Sequence, residues 1–228
     1  MKALFLSFKM TIIKIVRVLL FIRNTYLFKV TGGKIKYPKV LQLPITNKCN
    51  CRCVMCNIWK NKNTIEFSLD EFAKFLKDPI FKKIESVGIN GGEPSLLPNL
   101  PDYVDSILTL PKLKHVNIIS NGLLSKRFLF VVEEIYKRCK KNKVTFHLSF
   151  SLDGVGNIHN TIRGIPNAFE KVVSTIDAVK SNKLKYCDDF NIGCTIVNQN
   201  VNNLVELEAF AKAKEYPIIT SAIKCCSK

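Results

Sequence analysis

The sequence predicts an α/β domain built on parallel strands, preceded by a helical extension. Three observations carry this reading: short β-rich segments recur along the chain, helical periodicity fills the stretches between them, and polar motifs follow the strands. Alternation at this spacing implies parallel strands joined by right-handed crossovers. The architectures that satisfy it are a (β/α) barrel, whole or partial, and a doubly wound sheet. A chain of 228 residues suffices for one such domain with a sizeable core and a short appendage.

The first element is "MKALFLSFKMTIIKIVRVLLFIRNTYLFKV". Lys9, Lys14 and Arg17 interrupt its apolar run and no small-residue cleavage site follows, so a signal peptide or a membrane-spanning helix fits poorly. Ser7, Thr11, Lys14 and Arg17 recur at helical steps along one face, with Ile12, Ile13, Ile15, Val16, Leu19 and Leu20 covering much of the rest. A basic amphipathic helix of this kind lies on an anionic membrane surface or packs against its own domain; both readings stand. Thr31-Gly32-Gly33 and Pro38 mark the turn that follows, so residues 1–36 read as an extension and 37–228 as the main domain.

Val40–Thr46, Ser86–Asn90, His115–Ser120, Val144–Ser151 and Phe190–Val197 read as five strands. Ser68-Leu69-Asp70-Glu71 is a capping box that starts a helix, with Phe67 and Phe72 placed as a hydrophobic staple. Lys126–Lys141, Asn167–Ser181 and Leu204–Lys214 follow helical periodicity. In the fourth strand Thr145, His147, Ser149 and Ser151 share one face, opposite Phe146, Leu148 and Phe150. Strands sandwiched between two helix layers are apolar on both faces. This one is not, nor are those carrying Asn117 and Asn191/Thr195, which favours a barrel whose lumen holds a ligand.

Charge is unevenly distributed. Residues 1–65 carry thirteen Lys and Arg and no acid, whereas the remainder, 22 bases against 18 acids, is only +4. A nucleic-acid-binding domain would spread its basic surface over the fold, so no specific nucleic-acid partner is predicted. The nine cysteines form one tight cluster plus scattered residues, unlike a secreted disulfide framework, and a reducing, cytoplasmic setting is expected.

That cluster is "KCNCRCVMC". Cys49, Cys53 and Cys56 form C-x3-C-x2-C, and Cys51 is an additional thiol. Three thiolates could hold a cluster with one site open for chemistry, or all four could close a structural metal site. The other strands run into Asn90-Gly91-Gly92-Glu93-Pro94, Ser120-Asn121-Gly122, and Ser151-Leu152-Asp153-Gly154 followed by His159 and Arg163-Gly164. Functional groups collect at such strand ends in parallel α/β folds.

In this order the motifs resemble those of the radical S-adenosylmethionine (radical SAM) enzymes, over roughly Val40 to Asn203. The branch resembled includes peptide- and sulfatase-maturing enzymes and the molybdenum-cofactor cyclase. The resemblance implies a partial (β/α) barrel of about five complete βα units and an incomplete sixth, a 4Fe–4S cluster, and S-adenosylmethionine as cofactor. In the family the cluster leaves one iron for S-adenosylmethionine, which is cleaved reductively to a 5′-deoxyadenosyl radical. Carried over by position, Cys49, Cys53 and Cys56 are the cluster ligands. Gly91 and Gly92 would let backbone approach the methionine moiety, and Glu93 would accept from its amino group. Ser151 and Asp153 would lie near the ribose, Arg163 would grip the carboxylate, and Asn121 would lie close by.

Met55 departs from the aromatic residue usual before the last cysteine, and as a polarizable filler it can take that place near the adenine. Cys51 is extra; neighbours on a short loop point in different directions, so it is expected to be a bystander. His147 and His159 are assigned no role. The chain stops at "EYPIITSAIKCCSK", near where a sixth strand would form, so an incomplete barrel with an unpaired edge is expected, and Cys225 and Cys226 are too few for an auxiliary cluster. The implied partners are an electron donor such as a flavodoxin or ferredoxin and an unidentified peptide, sugar or cofactor precursor. A peripheral membrane contact through residues 1–30 is a further expectation. The alternatives are a non-catalytic metal- or cluster-binding module and an inactive, shortened family member at a membrane surface.

Overall fold

Six parallel strands form one sheet, hydrogen-bonded in the order in which they occur in the chain. The computed structural model describes residue 16 and residues 18–30, 37–61 and 66–221. It divides into two compact units, Met1–Tyr37 and Pro38–Lys228. In the first, residues 18–30 form helix α1; most of the polar face expected from Ser7, Thr11, Lys14 and Arg17 lies outside the described residues.

In the second unit the strands are β1 (Val40–Thr46), β2 (Ser86–Gly91), β3 (His115–Ser120), β4 (Thr145–Ser151), β5 (Asp189–Thr195) and β6 (Ile218–Ser221). Between them run α2 (Leu69–Phe75), α3 (Leu100–Leu108), α4 (Ser125–Lys141), α5 (Asn157–Arg163), α6 (Ala168–Ser181), α7 (Lys183–Tyr186) and α8 (Leu204–Ala213). A doubly wound sheet reverses strand order at a switch point; an unbroken 1-to-6 order is that of a partial (β/α) barrel. Five βα units are complete. The unpaired edge expected at the end of the chain is not at β5, because β6 pairs with it from Ile192↔Ile218 to Thr195↔Ser221. Cys225 and Cys226 lie outside the described residues.

Strand alternation sorts the residues of β4 by face. Phe146, Leu148 and Phe150 are fully buried beneath the helices, where Phe128 of α4 meets Phe150 edge-on at 5.4 Å, and Val172, Ile176 and Val179 of α6 are also fully buried. Burial of each such side chain contributes roughly 1.5–3 kcal/mol. The opposite faces are polar and in register: Asn117 pairs with His147, Ser149 with Asn191, and Ser151 with Gly193. Ser149 donates to Asn117 (3.2 Å), and Asn90 donates to Gln42 (3.1 Å).

The capping box forms as read: Glu71 N–H donates to Ser68 Oγ (3.3 Å) and Ser68 N–H to Glu71 (2.9 Å). The staple does not. Phe67 stacks on Phe75 at 6.0 Å, while Phe72 turns inward against Tyr103 (5.2 Å). Phe72 can bury itself against α3, a helix that the segments read from the sequence do not include.

Candidate active site

The carboxyl ends of the strands surround a cavity of about 300 Å³. Its floor is the cysteine loop between β1 and the turn at Ile58, and the rest of the chain holds that loop at many points. Arg52 N–H and Val54 N–H donate to the Arg163 and Ile162 carbonyls at the end of α5 (2.8 and 2.9 Å). On the opposite side Gly92 N–H donates to Thr46 O (2.7 Å) and Glu93 N–H to Lys48 O (2.8 Å). Asn121 Nδ2 donates to Asn50 Oδ1 (2.7 Å), tying in the end of β3. The Arg52 guanidinium donates to the Cys49 and Cys51 carbonyls and lies 5.2 Å from the centre of the Trp59 ring.

This tethering brings Cys49, Cys51, Cys53 and Cys56 to the wall of one cavity. Cys51 does not point away, as its place in the loop suggested. It is 1% exposed and within hydrogen-bonding range of both Cys49 and Cys53. Side-chain hydrogen bonding to these neighbours, together with burial, pushes its own pKa far up. The Cys51 side chain is the largest influence lowering Cys53 to about 6, where the Arg163 charge assists against burial. Cys49 falls to about 7, helped by the Cys51 side chain and by the Cys51 N–H. A thiolate is the metal-binding form, and hydrogen bonding within the loop favours it at Cys49 and Cys53.

The two glycines of the GGEP turn are required, though by the protein itself. A Cβ on Gly92 would lie 2.1 Å from Lys48 O, and one on Gly91, at φ +123°, 2.4 Å from Thr46 O. Any side chain there would push the cysteine loop off its seat. Gly92→Ala should cost about 3 kcal/mol and lower the melting temperature by roughly 6–12 °C, which thermal unfolding measures directly.

Glu93 lies behind the cavity wall, not on it. It is 1% exposed; Oε1 accepts from Ser95 N–H (3.1 Å), Ser95 Oγ (2.7 Å) and Ser120 Oγ (2.8 Å), and Oε2 accepts from Asn121 N–H (2.8 Å). Burial raises its pKa while these donors oppose the rise. Its carboxyl group joins the GGEP turn to the end of β3, a role that needed the position of Ser120 to be seen.

Asp153 is also fully buried, accepting Thr195 N–H (2.9 Å) at Oδ1 and pairing with Arg163 Nη2 at 2.7 Å through Oδ2. Arg163 Nη1 reaches Cys53 Sγ (3.7 Å), and Nε has no hydrogen-bond partner among the described protein groups. Asp153 and Cys53 thus engage two of the three guanidinium nitrogens and leave Nε open. Met55, Asn121, Ser151 and Arg163 line the cavity as expected of them; Asn90, Ile119, Thr195 and Val197 line it too. Asn200 was missed altogether. It is fully buried and donates to the Asp153 and Thr195 carbonyls (2.7 and 2.9 Å), a long-range role that nothing in its local sequence signals.

His159, assigned no role from sequence, accepts Asp153 N–H at Nδ1 (3.0 Å) and is 1% exposed. Burial, with the Arg163 charge adding to it, pushes its pKa down to about 3. The unfolded chain titrates near the ordinary value of about 6.5 and binds the extra proton between these limits. Stability from this residue is therefore complete above about pH 6.5 and is lost as pH falls towards about 3, by on the order of 4 kcal/mol in all. The urea midpoint should fall between about pH 7 and pH 5. His159→Asn, which keeps an acceptor without a titratable ring, should flatten that slope.

Among the described residues, no group of three or more His, Cys, Asp or Glu side chains is arranged around a single metal ion. In an iron–sulfur cluster the thiolates bind separate irons and need not converge on one point. The donor set, the cavity above it and the two glycines that seat the loop fit a three-thiolate cluster better than a closed single-ion site.

The Radical SAM superfamily model matches residues 43–212. Similar curated proteins include a probable GTP 3′,8-cyclase of Archaeoglobus fulgidus, 29% identical over 195 residues, and a GTP 3′,8-cyclase of Campylobacter jejuni, 28% identical over 193. The matches cover 75% and 82% of this chain but only 62% and 55% of those relatives. Among solved structures, native anSMEcpe with bound AdoMet has a TM-score of 0.61 at 21% identity, covering 82% of this chain and 52% of that one. Streptococcus suis SuiB bound to precursor peptide SuiA has a TM-score of 0.63 at 16% identity, covering 88% and 42%.

Proposed function

The chain belongs to the radical SAM superfamily, and from that premise we propose that it uses a 4Fe–4S cluster to cleave S-adenosylmethionine reductively and start radical chemistry on a substrate held in the barrel lumen. The single observation that carries this is the cysteine loop, whose three C-x3-C-x2-C thiols line one cavity beside Gly91 and Gly92. When bound, the cluster supplies the electron that releases a 5′-deoxyadenosyl radical, which takes a hydrogen atom from the substrate.

The chain's own residues bind, orient and exclude water. Cys49, Cys53 and Cys56 would hold the cluster, with Cys51 beside the first two. Arg163, fixed by Asp153, sets a positive charge beside Cys53. Met55, Asn121 and Ser151 would border the cofactor, Met55 with apolar surface and the other two with hydrogen-bonding groups. Glu93 and Asp153 act indirectly, by positioning the turn and the guanidinium. A flavodoxin or ferredoxin would supply the electron.

The substrate is unidentified. The lumen faces of β1 to β4 offer amide, hydroxyl and imidazole groups in Gln42, Asn90, Asn117, Ser149 and His147, a set suited to a hydrogen-bonding substrate. Relatives act on quite different molecules: the named cyclases on GTP, while SuiB was solved with a peptide.

The test is anaerobic reconstitution with iron and sulfide, followed by dithionite and S-adenosylmethionine. Formation of 5′-deoxyadenosine is expected. Bound zinc, no iron–sulfur absorbance and no product would overturn the proposal. The observation that favours a second reading, a non-catalytic four-thiol site, is the presence of Cys51 in the cavity wall; the cysteine substitutions discussed below separate the two.

A further inference from the structure

We propose that α1 docks this protein on an anionic lipid surface. Within residues 18–30, side chains on every side of the helix are exposed, among them Leu19, Phe21, Ile22, Tyr26 and Val30, with Phe21 at 71%. A helix that is apolar all round is ordinarily covered, and an exposed apolar patch marks a binding surface.

Charge selects the cover. Among the described residues no helix is long and apolar enough to cross a membrane. Arg23 and Lys29 are the charged residues within 18–30, and residues 1–65 hold thirteen cations and no acid. That excess complements anionic headgroups, each cation near such a surface contributing about 1 kcal/mol. A nucleic acid would use the cations but leave the Leu, Phe and Ile side chains in water. A lipid interface accommodates both, and Tyr26 suits its headgroup depth.

The whole chain is mixed with phosphatidylcholine vesicles, with or without phosphatidylglycerol, and floated on a density gradient. It should float with the anionic vesicles and largely remain below with the neutral ones. Arg23→Gln with Lys29→Gln should weaken binding about thirty-fold, the equivalent of two cations. Phe21→Asp with Ile22→Asp should abolish flotation while the thermal unfolding midpoint stays put, showing an intact barrel. Three results would each overturn the proposal: no flotation with anionic vesicles, undiminished flotation of the Asp variant, or vesicle-independent dimerisation that this variant abolishes. None depends on a loaded cluster.

Discussion

Cys53→Ala should prevent cluster assembly, whereas Cys51→Ala should leave a cluster that still cleaves S-adenosylmethionine. The two residues lie two positions apart in one loop, both buried, both lining the same cavity. Their settings differ. Cys53 is lowered to about 6 by the Cys51 side chain and by Arg163, whereas the Cys51 pKa is pushed up by its neighbouring thiols and by burial. Loss of Cys53 removes a ligand outright, and 5′-deoxyadenosine formation should fall by two orders of magnitude or more, with loss of the iron–sulfur absorbance. Loss of Cys51 removes a side chain that hydrogen-bonds within this group of sulfurs. Such outer contacts tune metal affinity by about 10- to 100-fold, so iron should be held less tightly yet remain bound when the cluster is supplied in excess. If Cys51→Ala empties the site and Cys53→Ala does not, the ligand register is wrong.

The second large effect is expected at Asp153→Ala. Asp153 and Arg163 pair at 2.7 Å with the carboxylate fully buried and the guanidinium nearly so. Removal of one partner leaves a charge in a medium that solvates it poorly, at about 3–5 kcal/mol. For a chain of this size that lowers the melting temperature by roughly 10 °C. The Asp153→Ala, Arg163→Met double variant should recover part of the loss, since an uncompensated cation costs more than a well-packed apolar group. A double variant as unstable as the sum of its singles would mean that the two residues do not act as a pair. Urea unfolding of the four proteins decides it.

Features set by local chemistry were legible in the sequence. β1 and β3 have the bounds read from their apolar pattern, and the Ser68–Glu71 capping box needs only four consecutive residues. The cysteine spacing and the GGEP turn likewise named the right loops. What was hidden depends on partners brought from elsewhere in the fold. Glu93 looks like a ligand contact until Ser120 and Asn121, 27 and 28 residues on, are seen to occupy its oxygens. Asn200 has no motif, and its meaning comes from the carbonyl of Asp153, 47 residues away. Phe72 was paired with Phe67 because they flank the cap, but α3 offers it a buried site and Phe67 none.

The clasp between the cysteine loop and the end of α5 has a consequence for the order in which the molecule matures. Strands added in sequence order can join the sheet one after another as the chain leaves the ribosome. The Arg52 and Val54 amides, however, must wait for the carbonyls of Arg163 and Ile162, and Cys53 must wait for a guanidinium 110 residues downstream. Until α5 has been synthesised, the loop lacks both its anchor and its counter-charge. From Cys56 to Arg163 the nascent chain thus carries its thiols as a plain, unbraced stretch, and loading of the braced loop follows the synthesis of α5.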